Sequence, residues 1–274
     1  MTTTDATPTG TGSTGTGSTV ARLGDRFASA HGWRVATVVD AWQETATART
    51  LVLDVPDWPG HRAGQHVDLR LTADDGYTAS RAYSVSAPTD PAHPHRVQVT
   101  VQRVMGGEVS TYLVDDLPVG AGIEVRGPVG GWFVWEPGTA GGAPVLLVAG
   151  GSGVTPLVAM VRARRAAGDR TPFRLLYSVR MPTDALFLDE LTGPSTDGVD
   201  AQVWFTRAAP PDAPRPPARI GLRDLARHGW PADLAPVCYV CGPTGFVEAM
   251  TRMLLVLGHD ARALRAERFG PSTD

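Results

Sequence analysis

Three short segments of this chain combine residue types that could hold a phosphorylated redox cofactor. Arg81-Ala82-Tyr83-Ser84 offers a guanidinium for a phosphate, an aromatic ring for stacking and a hydroxyl for a ring nitrogen. Two glycine-marked turns follow, Gly150-Gly151-Ser152-Gly153-Val154-Thr155-Pro156 and Cys241-Gly242-Pro243-Thr244-Gly245. Each turn follows an apolar run and opens an amphipathic helical pattern. In this order the segments predict a site for a bound cofactor that carries phosphate groups and a ring system.

The turn at Gly150, Gly151 and Gly153 has the features of a pyrophosphate site. Small residues at a strand end let a ligand approach the backbone, and the next helix offers free N–H groups. Thr155 is predicted to cap this helix and Pro156 to begin it. Proline replaces the last glycine of the usual dinucleotide fingerprint, so an ordinary tight turn remains an alternative.

A second helix start lies closer to the tyrosine motif. Gly106-Gly107-Glu108-Val109-Ser110 precedes the one helix expected in the first half of the chain. Its amides could hold another phosphate, and a plain loop-to-helix turn is the alternative. For Arg81 and Tyr83 the alternative is a strand with an exposed arginine and a half-buried tyrosine.

The predicted pattern of secondary structure changes once along the chain, which predicts two domains. Residues 21–137 read as short strands between Gly and Pro residues, which predicts an antiparallel β-barrel. Residues 138–274 alternate strands and helices, which predicts a parallel, Rossmann-like sheet. The expected strands are Leu51–Val55, Val67–Leu71, Tyr83–Ser86, His95–Val104, Ile123–Arg126, Val145–Ala149, Phe173–Val179, Ala201–Phe205 and Val237–Cys241. The expected helices are Glu108–Leu117, Pro156–Ala167, Ala185–Leu191, Leu222–His228 and Phe246–Leu257.

Composition narrows the classes of function. The net charge is −3, which gives no reason to expect a nucleic-acid partner. All 25 basic residues are arginine, so chemistry that needs a lysine amine is excluded. No apolar run approaches the roughly 20 residues of a membrane span. Residues 1–20 are rich in Thr, Gly and Ser and predict a disordered tail rather than a secretory signal, so the expected compartment is the cytoplasm.

The two cysteines, Cys238 and Cys241, have a C-x-x-C spacing that could indicate a redox or metal site. They lie in a predicted buried strand, where residues three apart point to opposite faces. A redox C-x-x-C instead begins a helix, and no metal site is expected. An iron–sulfur cluster needs four ligands, so any such carrier must be another protein.

Taken together, the motifs resemble those of the ferredoxin–NADP(H) reductase superfamily. The likeness covers about residue 33 to the end of the chain. It rests on Arg81-Ala82-Tyr83-Ser84, Gly106-Gly107-Glu108-Val109-Ser110, Gly127-Pro128-Val129-Gly130-Gly131-Trp132-Phe133, the two glycine-marked turns and Glu267-Arg268-Phe269-Gly270-Pro271-Ser272.

The resemblance implies FAD on the barrel domain and assigns roles. Arg81 and the backbone from Gly107 to Ser110 would bind the pyrophosphate. Tyr83 would pack on the flavin and Ser84 would lie near the hydride-accepting N5. Further implied roles are Thr155 and Cys241 beside the nicotinamide, Gly242 and Pro243 in the second turn, Glu267 as a proton relay with Ser84, and Phe269 as a cover on the ring. Cys241 could instead be a buried strand-end thiol and Glu267 a solvated carboxylate.

The expected nicotinamide cofactor is NADP(H), with NAD(H) as the alternative. NAD sites usually place an acid at the end of the second strand, whereas this strand ends in Ser178-Val179-Arg180. Arg207 and Arg219 fall where bacterial members of the superfamily bind the 2′-phosphate. All three could also be ordinary surface arginines. Trp132 and Trp135 could stack on adenine, but a core role is expected for both.

The expected activity is hydride transfer from NADPH to FAD, followed by electron transfer to a separate ferredoxin or oxygenase component. A reductase of free flavin, quinone or another small acceptor is one alternative. The other is a flavin-binding sensor or subunit without turnover. The fold does not choose among acceptors.

Overall fold

The computed structural model describes residues 32–193 and 197–270. The expected tail, residues 1–20, lies outside the described residues, as do Pro271 and Ser272 of the C-terminal motif. The described chain forms an antiparallel six-stranded sheet followed by a parallel five-stranded sheet. Within these residues, no helix is long and apolar enough to cross a membrane.

The first sheet has the strand order β4-β3-β6-β1-β2-β5. Its strands are β1 (Arg34–Thr45), β2 (Ala48–Asp54), β3 (His66–Thr72), β4 (Thr78–Ser84), β5 (Arg96–Gln102) and β6 (Gly122–Val129). Helix α1 (Glu108–Thr111) runs into a π-helical turn (Tyr112–Asp116) before β6. This pair of elements lies where the sequence predicts a helix.

The two outer strands of this sheet approach each other, so the sheet curls into a barrel. Val85, just beyond β4, bridges to Val99 of β5, and Ser86 N donates to Gln98 O at 2.8 Å. The buried face predicted for β5 is confirmed, since Val97, Val99 and Val101 are fully buried, although Thr100 between them is buried as well. Their side chains fill the barrel interior with those of Leu51, Leu53, Val67 and Leu69.

The second sheet has the order β11-β10-β7-β8-β9. Its strands are β7 (Val145–Gly150), β8 (Phe173–Val179), β9 (Val199–Phe205), β10 (Val237–Pro243) and β11 (Leu264–Phe269). The helices are α2 (Val154–Ala166), α3 (Leu188–Thr192), α4 (Leu222–His228) and α5 (Thr244–Val256). Helices α2 and α5 pack on opposite faces of the sheet. Cys241 and Cys238 belong to these opposite faces, as predicted.

Three local features differ from the sequence prediction. Strands β1 and β11 were not predicted. The predicted cap at Thr155 and helix start at Pro156 are wrong, because a 3-10 turn at Gly151–Gly153 leads straight into α2 at Val154. Gly153 occupies the cap position, and Thr155 lies buried within the first helical turn.

The two sheets are joined by polar contacts as well as by a shared apolar core. Tyr239 on β10 donates its hydroxyl to Val134 O at 2.8 Å, and its ring meets Phe133 edge-on at 5.4 Å. Arg162 on α2 donates to Ser86 O at 2.8 Å. These contacts connect the segments that follow β6 and β4 to the parallel sheet. The space between the end of β4 and the ends of β10 and β11 is called the cleft below.

Candidate cofactor-binding site

The parallel sheet has a topological switch point between β7 and β10. From β7 the chain moves outward through β8 and β9 on one side, whereas β10 and β11 lie on the other. Open α/β sheets bind ligands at such a point, beyond the carboxyl ends of the strands. The N-termini of α2 and α5 open there together, at Val154 and Thr244.

The glycines of the two turns have different roles. A Cβ on Gly153 would lie 2.4 Å from Cys241 O, and one on Gly242 would lie 2.9 Å from Gly150 O. A Cβ on Gly150 would meet the Phe246 ring at 2.7 Å. These three glycines let the turns pack directly on each other. Gly151 has φ +55° and no atom within 4 Å of its Cβ position, so it borders open space.

On the barrel side, the tyrosine motif occupies the end of β4. Arg81 is exposed, and among the described residues its guanidinium donates only to the neighbouring Ser80 O at 2.7 Å. Tyr83 is half-buried, and burial raises the pKa of its phenol to about 12 despite the nearby Arg81 charge. Ser84 is 5% exposed. The motif therefore presents a free cation, a neutral ring and a hydroxyl along one short strand.

The loop before α1 is held by its own side chains. Ser110 Oγ accepts from Val104 N at 3.0 Å, and Gly107 N donates to Val104 O at 2.9 Å. The Gly107 amide is therefore already used. Glu108, Val109 and Ser110 form the first helical turn, whose amides have no acceptor within the helix. Gly106, with φ +74°, borders open space.

Several buried oxygens at the cleft have no hydrogen-bond partner among the described residues: Ser84 Oγ, Ser86 Oγ, Thr155 Oγ1 and Glu267 Oε2. Buried polar groups are normally satisfied, so a concentration of orphans points to a missing ligand. They lie on β4, the segment after it, the first turn of α2 and β11. Three other orphaned atoms among the described residues, Arg34 Nη1, Trp135 Nε1 and Thr251 Oγ1, lie elsewhere.

Glu267 lies beside Cys241, its register partner in the β10–β11 pair. Burial raises the pKa of the Glu267 carboxyl to about 7. Burial, together with the nearby Glu267 carboxylate, holds the pKa of the Cys241 thiol well above its ordinary value. Cys241 is therefore a neutral thiol at neutral pH. Phe269 is the register partner of Pro243 and packs partly on the core, so its ring stands beside the second turn.

The expected phosphate site consists of three arginines, Arg180, Arg207 and Arg219. They lie around the carboxyl ends of β8 and β9. Arg207 N donates to Arg180 O at 2.9 Å, so these two residues are adjacent. Ala218 N donates to Phe205 O at 2.9 Å, and this bond brings Arg219, the next residue, close to the end of β9. All three are exposed. Among the described residues, none of them pairs with a carboxylate, so their guanidinium charges face solvent.

Trp132 and Trp135 differ in how far their side chains are exposed. Trp135 is 2% exposed and packs edge-on against Phe173 at 5.1 Å, which confirms its core role. Trp132 is 62% exposed, so the core role predicted for it is wrong. Its ring lies under the guanidinium of Arg265 at 5.6 Å.

Sequence reasoning missed His66. Its Nδ1 lies 4.0 Å from Glu267 Oε1, although the two residues are on different sheets. On its own sheet, His66 is the register partner of Ser84. Only register and domain packing reveal this neighbourhood, and the sequence around His66 carries no separate signal of it.

The residues present fit a flavin and a nicotinamide dinucleotide. The orphaned hydroxyls and carboxyl could accept or donate hydrogen bonds to a ring system. Arg81 and the α1 amides could hold one phosphate group, and the backbone at Gly151 with the α2 N-terminus could hold another. The described residues hold no cluster of His, Cys, Asp or Glu suited to a metal ion.

Comparison with known proteins agrees with this geometry. The oxidoreductase FAD-binding domain matches residues 36–134, and the oxidoreductase NAD-binding domain matches residues 147–252. Ferredoxin–NADP reductase B of Sorangium cellulosum is 32% identical over 213 residues, which are 76% of this chain and 84% of that protein.

A glycine betaine monooxygenase reductase subunit from Chromohalobacter salexigens is 30% identical over 236 residues. The match covers 83% of this chain but only 62% of that relative's length. Among solved structures, the FAD/NAD-binding domain of a nitric oxide dioxygenase from Vibrio cholerae superposes with a TM-score of 0.74. It is 26% identical, and the superposition covers 87% of this chain and 99% of that domain.

Proposed function

Because this chain belongs to the ferredoxin–NADP(H) reductase superfamily and is an FAD-dependent NAD(P)H oxidoreductase, we propose that it takes its hydride from NADPH and delivers electrons singly to a separate carrier protein. Bound FAD would supply both the hydride acceptor and the change from two-electron to one-electron transfer. The observation that carries the cofactor site is the group of orphaned oxygens named above. The exposed arginines support the choice of NADPH, and the relatives support the choice of acceptor.

The residues around the cleft have separate tasks in this proposal. Arg81 and the amides of Glu108, Val109 and Ser110 hold the FAD pyrophosphate, and Tyr83 packs on the flavin. Ser84 and Glu267 handle the proton that the flavin would release when its electrons depart. Thr155 and Cys241 border the nicotinamide. Phe269 covers the ring and keeps water out of the cleft.

NADPH is proposed over NADH because of Arg180, Arg207 and Arg219. Their charges face solvent around the ends of two adjacent strands. A 2′-phosphate carries about two negative charges and binds well to converging guanidinium groups. Strand β8 ends in Ser178-Val179-Arg180, with none of the acids that usually bind the ribose hydroxyls of NAD.

A carrier protein is proposed as the acceptor because the Chromohalobacter relative is by name the reductase subunit of a monooxygenase. A ferredoxin or an oxygenase component is the expected acceptor.

Steady-state turnover with NADPH tests the choice of acceptor. FAD-loaded protein should reduce cytochrome c much faster when a panel of [2Fe–2S] ferredoxins is added. Free FMN and a benzoquinone serve as the small-acceptor comparison. Faster turnover with either small acceptor than with every ferredoxin would favour a small-molecule reductase instead.

A further inference from the structure

The loop between Arg207 and Arg219 is stiff, and an ion pair ties it to the next helix. Residues 208–217 contain five prolines, which fix backbone φ and leave few alternative conformations. Arg215 lies among these prolines, and its Nη1 donates to Asp224 Oδ1 at 2.6 Å. The two side chains are 31% and 23% exposed, so solvent screens this pair less than a fully exposed one. The second half of the loop is therefore attached to α4.

Asp224 is itself fixed at the start of α4. Its Oδ2 accepts from Gly221 N at 2.9 Å, and Asp224 N donates to Gly221 O at 3.1 Å. A carboxylate that accepts from the backbone just before the first helical turn stabilises a helix start. The next residue, Leu225, is 1% exposed and packs in the core of the parallel domain. Asp224 is therefore an anchor whose position does not depend on the loop.

Arg219 lies between the ion pair and this helix start. Arg215 Nη2 donates to Arg219 O in a long contact of 3.4 Å. On the other side, Ala218 N donates to Phe205 O at the end of β9 at 2.9 Å. Ile220, which follows Arg219, is 4% exposed and lies in the core. These contacts hold the backbone of Arg219 and leave its guanidinium exposed.

The ion pair also separates Arg215 from the exposed arginines around it. Arg180, Arg207 and Arg219 have no carboxylate partner among the described residues, whereas Arg215 is neutralised by Asp224. Three like charges repel one another, so they stay close only where their backbones are held. The strand ends hold Arg180 and Arg207, and the loop with its ion pair holds Arg219.

Resting on the proposed use of NADPH, we propose that Arg215 and Asp224 are a positioning pair for the 2′-phosphate, and that their ion pair keeps the Arg219 guanidinium beside the other two exposed arginines. Neither member of the pair touches the phosphate. A loop that is ordered in advance does not have to be ordered by the ligand, so less of the binding free energy is lost. The pair therefore acts on the choice between NADPH and NADH and not on hydride transfer.

Binding of two mononucleotides to the FAD-loaded protein tests the proposal without turnover. Adenosine 2′,5′-bisphosphate carries the 2′-phosphate, and 5′-AMP lacks it. Asp224→Asn removes the charge of the anchor but keeps an oxygen for the Gly221 amide, and Arg215→Gln removes the other charge. In isothermal titration calorimetry, both variants should weaken the bisphosphate about 5-fold or more and change 5′-AMP by less than about 2-fold.

Two control variants match these changes. Asp212→Asn makes the same substitution at an exposed position of the same loop, where the carboxylate has no partner among the described residues. Arg227→Gln removes an exposed arginine from the last turn of α4. Both should bind the bisphosphate within about 2-fold of wild type, because exposed charges are screened by salt. Equal weakening in Arg215→Gln and Arg227→Gln would show an effect of net charge alone and overturn the proposal.

The direction of the change separates a positioning pair from a direct contact. If Arg215 itself bound the phosphate, its release in Asp224→Asn would tighten the bisphosphate, so tighter binding overturns the proposal. Unchanged binding in both variants overturns it as well. Wild-type protein that binds the two mononucleotides equally contradicts the use of NADPH, and the role of the pair fails with it.

Amide hydrogen exchange gives a second readout, taken without any nucleotide. The Ala218 amide should exchange about 5-fold faster or more in Arg215→Gln than in wild type, because the loop is no longer tied to α4. Weakened bisphosphate binding with wild-type exchange at Ala218 would show a direct contact and contradict the positioning role. If Asp224→Asn does not fold, Arg215→Gln decides on both readouts.

Discussion

Gly153 lies directly against the backbone of Cys241, so closely that a Cβ on Gly153 would stand 2.4 Å from Cys241 O. The first glycine turn thereby rests on the end of β10, the strand that leads into the second. The two turns form one packed unit, and the N-termini of α2 and α5 are held side by side. This contact explains a glycine at position 153 without invoking a ligand.

Gly153→Ala should therefore destabilise the fold as well as the site. The added methyl group meets rigid backbone, and we expect a loss of about 2–3 kcal/mol in the free energy of unfolding. Gly245→Ala is the matched control, since its Cβ position is open and it lies within α5. Alanine there should be neutral or stabilise by at most about 1 kcal/mol. Urea unfolding of both variants measures this, and equal stability of the two would contradict the close packing.

Ser84→Ala should separate function from stability. Ser84 Oγ has no partner among the described residues, so its removal should change the stability of the FAD-free protein by less than about 0.5 kcal/mol. Flavin reduction by NADPH should slow about 10-fold or more, because the hydroxyl would hydrogen-bond and position the ring nitrogen that accepts the hydride.

Ser110→Ala is the matched control for Ser84→Ala, because it should lower stability. Ser110 Oγ is bonded to Val104 N, so its loss should cost about 1 kcal/mol of stability. Thermal unfolding and stopped-flow absorbance distinguish the two hydroxyls. A Ser84→Ala variant with wild-type reduction kinetics would remove Ser84 from the mechanism.

Most of the fold could be read from the sequence, and the exceptions have physical causes. Strand β5 alternates valine with polar residues in sequence, and β7 is apolar throughout, so both were predicted. Strand β1 mixes exposed and buried positions irregularly, with register shifts between Val38 and Asp40 and between Gln43 and Thr45. Strand β11 carries Arg265, Glu267 and Arg268 at the sheet edge, which hid its period. Edge strands tolerate such charges.

The double variant Arg180→Ala/Arg207→Ala tests the cofactor preference. Loss of two charge-assisted contacts to a 2′-phosphate should raise the KM for NADPH at least about 10-fold. The KM for NADH should stay within about 2-fold, because NADH lacks that phosphate. Arg262→Ala is the control, since Arg262 is exposed and pairs with Asp260. Equal changes for both cofactors would contradict a phosphate site at these arginines.

Glu267 should make stability depend on pH. Its folded pKa of about 7 lies above the ordinary 4.5, so the folded state holds a proton that the unfolded state releases first. Stability should therefore fall as pH rises from about 4.5 to about 7, by up to about 3 kcal/mol.

Glu267→Gln should abolish that fall, and Glu248→Gln, at an exposed position of α5, should retain it. Urea unfolding of the FAD-free proteins between pH 4.5 and 8.5 gives the comparison. Parallel pH profiles for wild type and Glu267→Gln would show that the carboxyl is not buried as described.

The candidate site was only partly accessible from sequence. The motif residues Arg81, Tyr83 and Ser84 could be identified as site residues from their types and their order in the sequence. The proximity of His66 to Glu267 depends on how β3 meets β11, strands that are nearly two hundred residues apart in the chain. Likewise, the role of Gly153 in turn packing could not be told from phosphate binding until the backbone of Cys241 was placed beside it.

Anaerobic titration of the FAD-loaded protein with NADPH and, in parallel, NADH tests hydride transfer most directly, with flavin absorbance as the readout. Rapid bleaching at much lower NADPH than NADH concentration is expected. Equal or NADH-favoured bleaching would contradict the arginine site but leave the reductase class intact. A flavin that stays oxidised with both, or that the protein does not retain, would contradict the proposed reaction itself.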